Sequence, residues 1–143
     1  ITLLGLSDRT EAPADVFTYL AEANVNVDMI VQGQARSEGA VNLTFTTGRR
    51  DAARAADLMR GAQARLGFEE LRVDEDVAKV SVVGVGMRSH AGVAQTMFRA
   101  LADKGIKFQA ISTSEIKISV LIDAAYAELA VRALHSAYGL DTV

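Results

Sequence analysis

Val16-Phe17-Thr18-Tyr19-Leu20-Ala21-Glu22 lies over Met97-Phe98-Arg99-Ala100-Leu101-Ala102-Asp103 when the chain is slid along itself by 81 positions. Downstream, Asn24-Val25-Asn26-Val27-Asp28-Met29-Ile30 falls on Gly105-Ile106-Lys107-Phe108-Gln109-Ala110-Ile111. Upstream, Ile1-Thr2-Leu3-Leu4-Gly5-Leu6 meets Val80-Ser81-Val82-Val83-Gly84-Val85 after a two-residue shift. Self-similarity over so long a stretch marks a duplicated structural unit. The break falls at the acidic stretch Asp74-Glu75-Asp76, which divides the chain into residues 1–76 and 77–143 and leaves exchange of a strand between the halves open.

Within each half, β-branched residues alternate with polar ones. Val41, Leu43 and Phe45 stand against Asn42, Thr44 and Thr46, and Ile116, Ile118 and Val120 against Lys117 and Ser119. A period of two with one apolar face predicts half-buried antiparallel strands. Between them, Phe17 with Leu20 and Ala21, Ala52 with Ala55, Ala56 and Met59, Val93 with Met97 and Leu101, and Leu129 with Ala130, Ala133 and Leu134 recur at helical spacing. Gly67 and Gly139 stand where the second helix of each half should stop. The order is βαββαβ, twice. This is an α+β class chain of two ferredoxin-like units, antiparallel sheets with helices on one face. A unit of about 70 residues leaves its sheet edges short of partners, so pairing of units within or between chains is expected.

The chain has 143 residues, 50% hydrophobic and 23% charged, a balance that builds a core. Fifteen basic against eighteen acidic side chains give a net charge of −3, without the basic field on which nucleic-acid binding depends. The strands also carry no aromatic stacking platform for RNA. Absence of cysteine removes disulfides, thiolate catalysis and cysteine-rich zinc sites, and two histidines leave little for another transition-metal centre. No apolar run approaches the ~18 residues of a membrane span, and no signal peptide is evident, so the chain reads as cytoplasmic. Beginning at Ile1 and ending at Asp141-Thr142-Val143, it reads as a piece of something longer whose last strand is cut short.

Few residues suggest chemistry. Gly84-Val85-Gly86-Met87-Arg88-Ser89-His90-Ala91-Gly92 follows a strand and opens a helix, where exposed N–H groups and the helix dipole attract an anion. It lacks the Gly-Lys-Ser/Thr ending of a phosphate loop, and reads equally as a carboxylate site or a plain turn. In the first half the matching stretch is Ser7-Asp8-Arg9-Thr10-Glu11-Ala12-Pro13, with Thr10 placed to cap and Pro13 suited to a first helical turn. His90 has no partner for general-base work and reads as a solvated or capping residue. His135 reads as a partly buried helix residue, and Met29, Met59, Met87 and Met97 as core filler. Asp8, Asp28 and Glu115 lie near strand ends where a carboxylate could hold an ammonium group, though each alone reads as solvated surface. An autonomous acyl-phosphate enzyme working through Arg88 has only the glycine-bearing turn in its favour.

The run from Lys79 to Val93, with Ile111-Ser112-Thr113-Ser114-Glu115-Ile116-Lys117-Ile118-Ser119-Val120, Ala133-Leu134-His135 and, in the first half, Asn24 to Gln32, closely resembles the tandem ACT regulatory region of aspartate kinases. The resemblance covers essentially the whole chain. It implies allosteric control, in which lysine, threonine or both bind ACT units and inhibit ATP-dependent phosphorylation of aspartate. The kinase domain, with its ATP and magnesium, would lie elsewhere, in the same chain or a catalytic subunit, and this chain would need no cofactor and no metal.

The resemblance further implies homodimers built through ACT units side by side, with effectors held between units. In the first unit Asp8 would meet the effector's ammonium group or side chain, N–H groups around Glu11, Ala12, Pro13 and Ala14 would take its carboxylate, and Asn26, Asp28 and Gln32 would line the wall. In the second the matching positions are Gly92, Val93 and Ala94, Lys107, and Thr113, Ser114 and Glu115. A partner chain would complete each pocket. Three positions depart from the family's pattern: Asp8-Arg9-Thr10-Glu11 stands in place of Asp-Lys-Pro-Gly, Lys107 in place of asparagine, and Ala35 in place of serine. The competing reading is a dimerisation-only ACT module without an effector site.

Overall fold

Leu3 and Leu6 stand three residues apart in β1 (Thr2–Ser7), yet both are fully buried, which a regular strand with a period of two forbids. The extra residue is absorbed by a bulge. Against β3 (Ala40–Thr47), Leu3 faces Leu43 while Leu6 faces Val41, so three steps on β1 match two on its partner. Gly5 carries the bulge at φ +72°, its N–H donating to Asn42 Oδ1 at 3.1 Å. A side chain there would meet the Glu69 carboxyl group at 2.7 Å.

The computed structural model describes residues 1–84 and 90–141, in two units, Ile1–Glu75 and Asp76–Val143. The first unit runs β1, α1 (Glu11–Glu22), β2 (Val27–Gln34), β3, α2 (Arg49–Gly61), a single helical turn α3 (Gln63–Leu66), and β4 (Glu70–Arg72). Its antiparallel sheet has the order β2-β3-β1-β4. The helices bury Ala12, Val16 and Leu20 of α1 and Ala52, Ala55, Ala56 and Met59 of α2 against Leu3, Leu6, Leu43 and Phe45 of the sheet. The α2 stripe is the expected one. On α1 it is rotated: Ala21 is exposed and Phe17 half-buried, because positions 12, 16 and 20 take the inner face.

The second unit runs β5 (Val77–Val83), α4 (His90–Asp103), β6 (Phe108–Thr113), β7 (Lys117–Asp123), a 3₁₀ turn (Ala124–Tyr126) and α5 (Ala127–Ala137). Ile118, Val120 and Ile122 alternate into a core shared with Met97, Leu101, Ile106 and Leu134. The sheet order is β5-β7-β6. Here the expected sixth element is missing among the described residues: α5 leads into a turn at Gly139 through Asp141, and no strand covers the outer edge of β5. A groove of about 380 Å³ follows that edge, lined by Val80, Val82, Val93, Leu134, Tyr138 and Leu140. The glycine-bearing turn at 85–89, with Met87 and Arg88, and the last residues Thr142 and Val143 lie outside the described residues.

The duplication extends to backbone detail. Asn24 at φ +57° and Gly105 at φ +67° end α1 and α4 in the same left-handed turn, with Val25 N–H donating to Leu20 O and Ile106 N–H to Leu101 O, both at 2.9 Å. Gly67 and Gly139, at φ +80° and +71°, likewise close α3 and α5. The cross-strand hydroxyl pair Thr2–Thr44, 2.9 Å apart, is repeated by Ser81–Ser119 at 2.7 Å. Met29, Met59 and Met97 are buried as expected, whereas His135 is exposed because Ala130 and Leu134 occupy the inner face of α5. Among the described residues no helix is long and apolar enough to cross a membrane, and no cluster of His, Asp and Glu could hold a metal ion.

Tyr138 ties α5 to α4 through its hydroxyl, which donates to Val93 O at 2.5 Å. Burial pushes its pKa up, opposed by a backbone contact from Met97. The folded state therefore holds this proton more tightly than the unfolded chain. Its contribution is complete below about pH 10 and is lost as pH climbs through the raised value. Tyr138→Phe should cost about 1 kcal/mol at neutral pH through the lost hydrogen bond and flatten the alkaline fall in stability. Urea midpoints of both proteins between pH 7 and 11 check this, and parallel curves would refute it.

Candidate functional site

Strand register decides which of the expected ligand residues can meet. In the first unit Ser7 faces Ala40 and Gln34 faces Val41, so the C-terminal ends of β1 and β2 lie together at the start of β3. Asp8 is exposed there, its N–H donating to Gly39 O at 3.1 Å, and α1 begins beside it. Val27, however, faces Thr47, at the far end of the eight-residue β3. Seven steps of ~3.3 Å put Asn26 and Asp28 roughly 20 Å from Asp8. Gln32 lies on the Asp8 side of β2. Within one copy, then, Asp8, Glu11 to Ala14 and Gln32 gather at one end of the sheet and Asn26 and Asp28 at the other.

The second unit repeats this division. Val83 faces Lys117 and Thr113 faces Ile118, while Gly84 N–H donates to Ile116 O at 2.8 Å. The turn Thr113-Ser114-Glu115 therefore sits beside the strand that feeds α4, closed by Ser114 N–H donating to Lys117 O at 2.7 Å. Lys107 precedes β6 at the opposite end, where Phe108 faces Ile122, roughly 17 Å away along the strand. Asn26, Asp28, Gln32, Lys107 and Thr113 to Glu115 are all exposed. The strands that carry or adjoin them, β2 and β6, are the edges of their sheets.

The helix N-termini differ from the expected arrangement. A helix leaves only its first few N–H groups without intrahelical partners. In α4 the first turn is His90, Ala91 and Gly92. Val93 and Ala94 belong to the second turn and are half-buried against the core, so of the three expected residues only Gly92 lies in the first turn. His90 and Ala91, at the end of the glycine-bearing run, are the other two residues of that first turn. In α1 the first turn is Glu11, Ala12 and Pro13. Glu11 is exposed, Ala12 is buried, and Ala12 N–H already donates to Arg9 O at 3.1 Å. A polar cleft of about 480 Å³ borders the β1–β4 side of this unit, lined by Gly5, Arg36, Asn42, Glu69, Glu70 and Arg72.

Comparison with known proteins identifies the fold's relatives. The ACT domain family model matches residues 80–138. Aspartate kinase Ask_LysC of Stutzerimonas stutzeri is 49% identical over 141 residues, which are 99% of this chain and 34% of that protein. The chain thus spans about a third of the length of this curated relative. The ligand-free regulatory subunit of aspartate kinase from Thermus thermophilus is 40% identical, with a TM-score of 0.86 over 96% of this chain and 90% of that one. E. coli aspartokinase III, solved with lysine and aspartate in its T-state, is 27% identical, with a TM-score of 0.62 over 94% of this chain and 30% of that one. With two duplicated antiparallel units and 40% identity across nine-tenths of a solved regulatory subunit, the chain belongs to the ACT-domain regulatory family of the aspartate kinases.

Proposed function

We propose that this chain is the amino-acid-sensing region through which lysine, threonine or both restrain ATP-dependent phosphorylation of aspartate by a kinase portion outside it, in the cytoplasm. ATP and magnesium belong to that portion. The observation that carries the reading is the division of each unit's ligand residues between opposite ends of an edge strand. Two copies paired antiparallel through β2, about a two-fold axis near Ile30 and Val31, bring Asn26 and Asp28 of one to Asp8 and Gln32 of the other. The same operation through β6 brings Lys107 to Thr113, Ser114 and Glu115. A ligand with a carboxylate, an ammonium group and a polar side chain meets a matching set only in such a pair. Family membership and the lysine named for the E. coli relative support an amino-acid effector.

Titration calorimetry with lysine and threonine, singly and together, tests this at protein concentrations above ~100 μM, where even millimolar sites give heat. Binding accompanied by a dimer in sedimentation is the expected result. A dimer that gives no heat with either amino acid would leave only the dimerisation role.

A further inference from the structure

The turn between α1 and β2 carries Asn26 and leads into Asp28, and a side chain from another helix holds it. At its start Asn24 stands at φ +57°, the one residue other than glycine in the left-handed region among the described residues. The second unit makes the matching turn with Gly105, for which that conformation carries no steric penalty. The last turn of α1 has no basic residue of its own to meet the carbonyls at its end. Arg54 brings a cation there from α2. Its Nη1 donates to Ala23 O, and its Nη2 to Asn24 O at 3.4 Å and to Asp51 Oδ1 at 2.9 Å. Asp51 is itself set at the head of α2, its N–H donating to Gly48 O at 2.9 Å, just after the point where Thr47 of β3 faces Val27 of β2. The planar guanidinium fork thus ties the end of α1 to the start of α2 beside the first residues of β2. Because β2 is an edge strand, those residues have a strand neighbour on one side only within a copy.

We infer that Arg54 is a positioning residue for the first-unit effector site: it fixes the α1–β2 turn and, through it, the direction in which Asn26 and Asp28 face a ligand. This rests on the effector-binding reading above and deepens it, since it adds a residue that no ligand touches. Val25, buried between Asn24 and Asn26, anchors the turn to the core, with its N–H donating to Leu20 O at 2.9 Å. Arg54 supplies the second hold, on the carbonyls that precede it. A lysine at this position keeps the charge but loses the fork, so it can meet one carbonyl and not two together with Asp51.

The test compares the whole chain with its Arg54→Ala and Arg54→Lys variants by amide hydrogen exchange, sedimentation, and calorimetry with lysine and threonine. In Arg54→Ala the amides of Asn24 and Val25 should exchange about tenfold faster while those of Val16 and Leu43 keep their rates. The effector dissociation constant should rise about threefold to tenfold, the range of one partly screened charge-assisted hydrogen bond, with dimerisation unchanged. Arg54→Lys should recover part of both effects together. A purely structural Arg54 would speed exchange equally at Val16 and Leu43 and leave the affinity of the folded protein unaltered. Either of those results, or unaltered exchange at Asn24 and Val25, overturns the inference. If the wild type gives no heat with either amino acid, the effector reading has failed, and exchange alone then decides about Arg54: faster rates confined to Asn24 and Val25 uphold its hold on the turn, and unchanged rates refute it.

Discussion

Phe45→Ala is expected to remove about 3–5 kcal/mol from the stability of the first unit, the range for deleting a fully buried aromatic side chain. Phe45 has no solvent exposure, meets the Phe17 ring edge-on at a centroid distance of 6.1 Å, and sits where β3 faces both helices. Its backbone is fixed independently, since its N–H donates to Ile1 O at 2.9 Å. The side chain's loss therefore leaves a cavity between sheet and helices that the strand cannot move to fill. A unit of this size holds only about 4–11 kcal/mol in total, so the substitution takes about a quarter of its stability or more. Urea unfolding followed by amide NMR should show residues of Ile1–Glu75 melting at a much lower midpoint, while the core around Met97, Ile118 and Ile122 keeps its own. Phe45→Leu, which retains most of the volume, should cost about 1 kcal/mol. A loss below 1 kcal/mol for the alanine variant would mean that Phe45 is not the centre of this core.

Local pattern carried much of the fold. Alternation at Val41 to Thr46 and the helical spacing of Ala52, Ala55, Ala56 and Met59 are properties of single elements, and β3 buries Leu43 and Phe45 with Val41 partly covered, while α2 buries all four of its marked residues. The left-handed glycines worked for a similar reason: Gly67 and Gly139 end helices because their backbones reach a conformation other residues resist. One feature escaped. Rotation of α1 onto Ala12, Val16 and Leu20 depends on what the sheet presents, and Ala21 is as apolar in sequence as Ala12.

The candidate site shows the same limit more sharply. Asn26, Asp28 and Gln32 lie within seven residues, and the family resemblance implied that they line one wall. In an extended strand four residues already span about 13 Å, and β2 runs the length of its sheet, so sequence neighbours become opposite ends. Conversely, Asp8 and Gly39 are 31 positions apart and share a hydrogen bond of 3.1 Å. The start of α4 is a third case, because helical register decides that Gly92 lies in the first turn and that Val93 and Ala94 turn inward. Only the folded helix sets that register.

Ile30→Lys is expected to separate the two copies of the proposed dimer, raising its dissociation constant about tenfold to a hundredfold, and to abolish the proposed effector binding with it. Ile30 is 53% exposed on the edge strand β2, an apolar side chain where solitary sheets favour charge. In the proposed antiparallel pair the two introduced lysines start from diagonal positions about 7–8 Å apart on adjoining strands, within reach of each other, where like charge opposes pairing. The fold of the unit should be spared, because the site is on the surface and a surface change of this kind stays within about 0.5 kcal/mol. Sedimentation velocity, calorimetry and thermal unfolding of the same preparation separate these effects. Loss of dimer and binding together, with an unchanged unfolding transition, is what a site shared between two edge strands requires. A monomeric variant that still binds lysine or threonine at wild-type strength would show that each copy carries a complete site. In that case Asn26 and Asp28, at the far end of β2, would have no part in it.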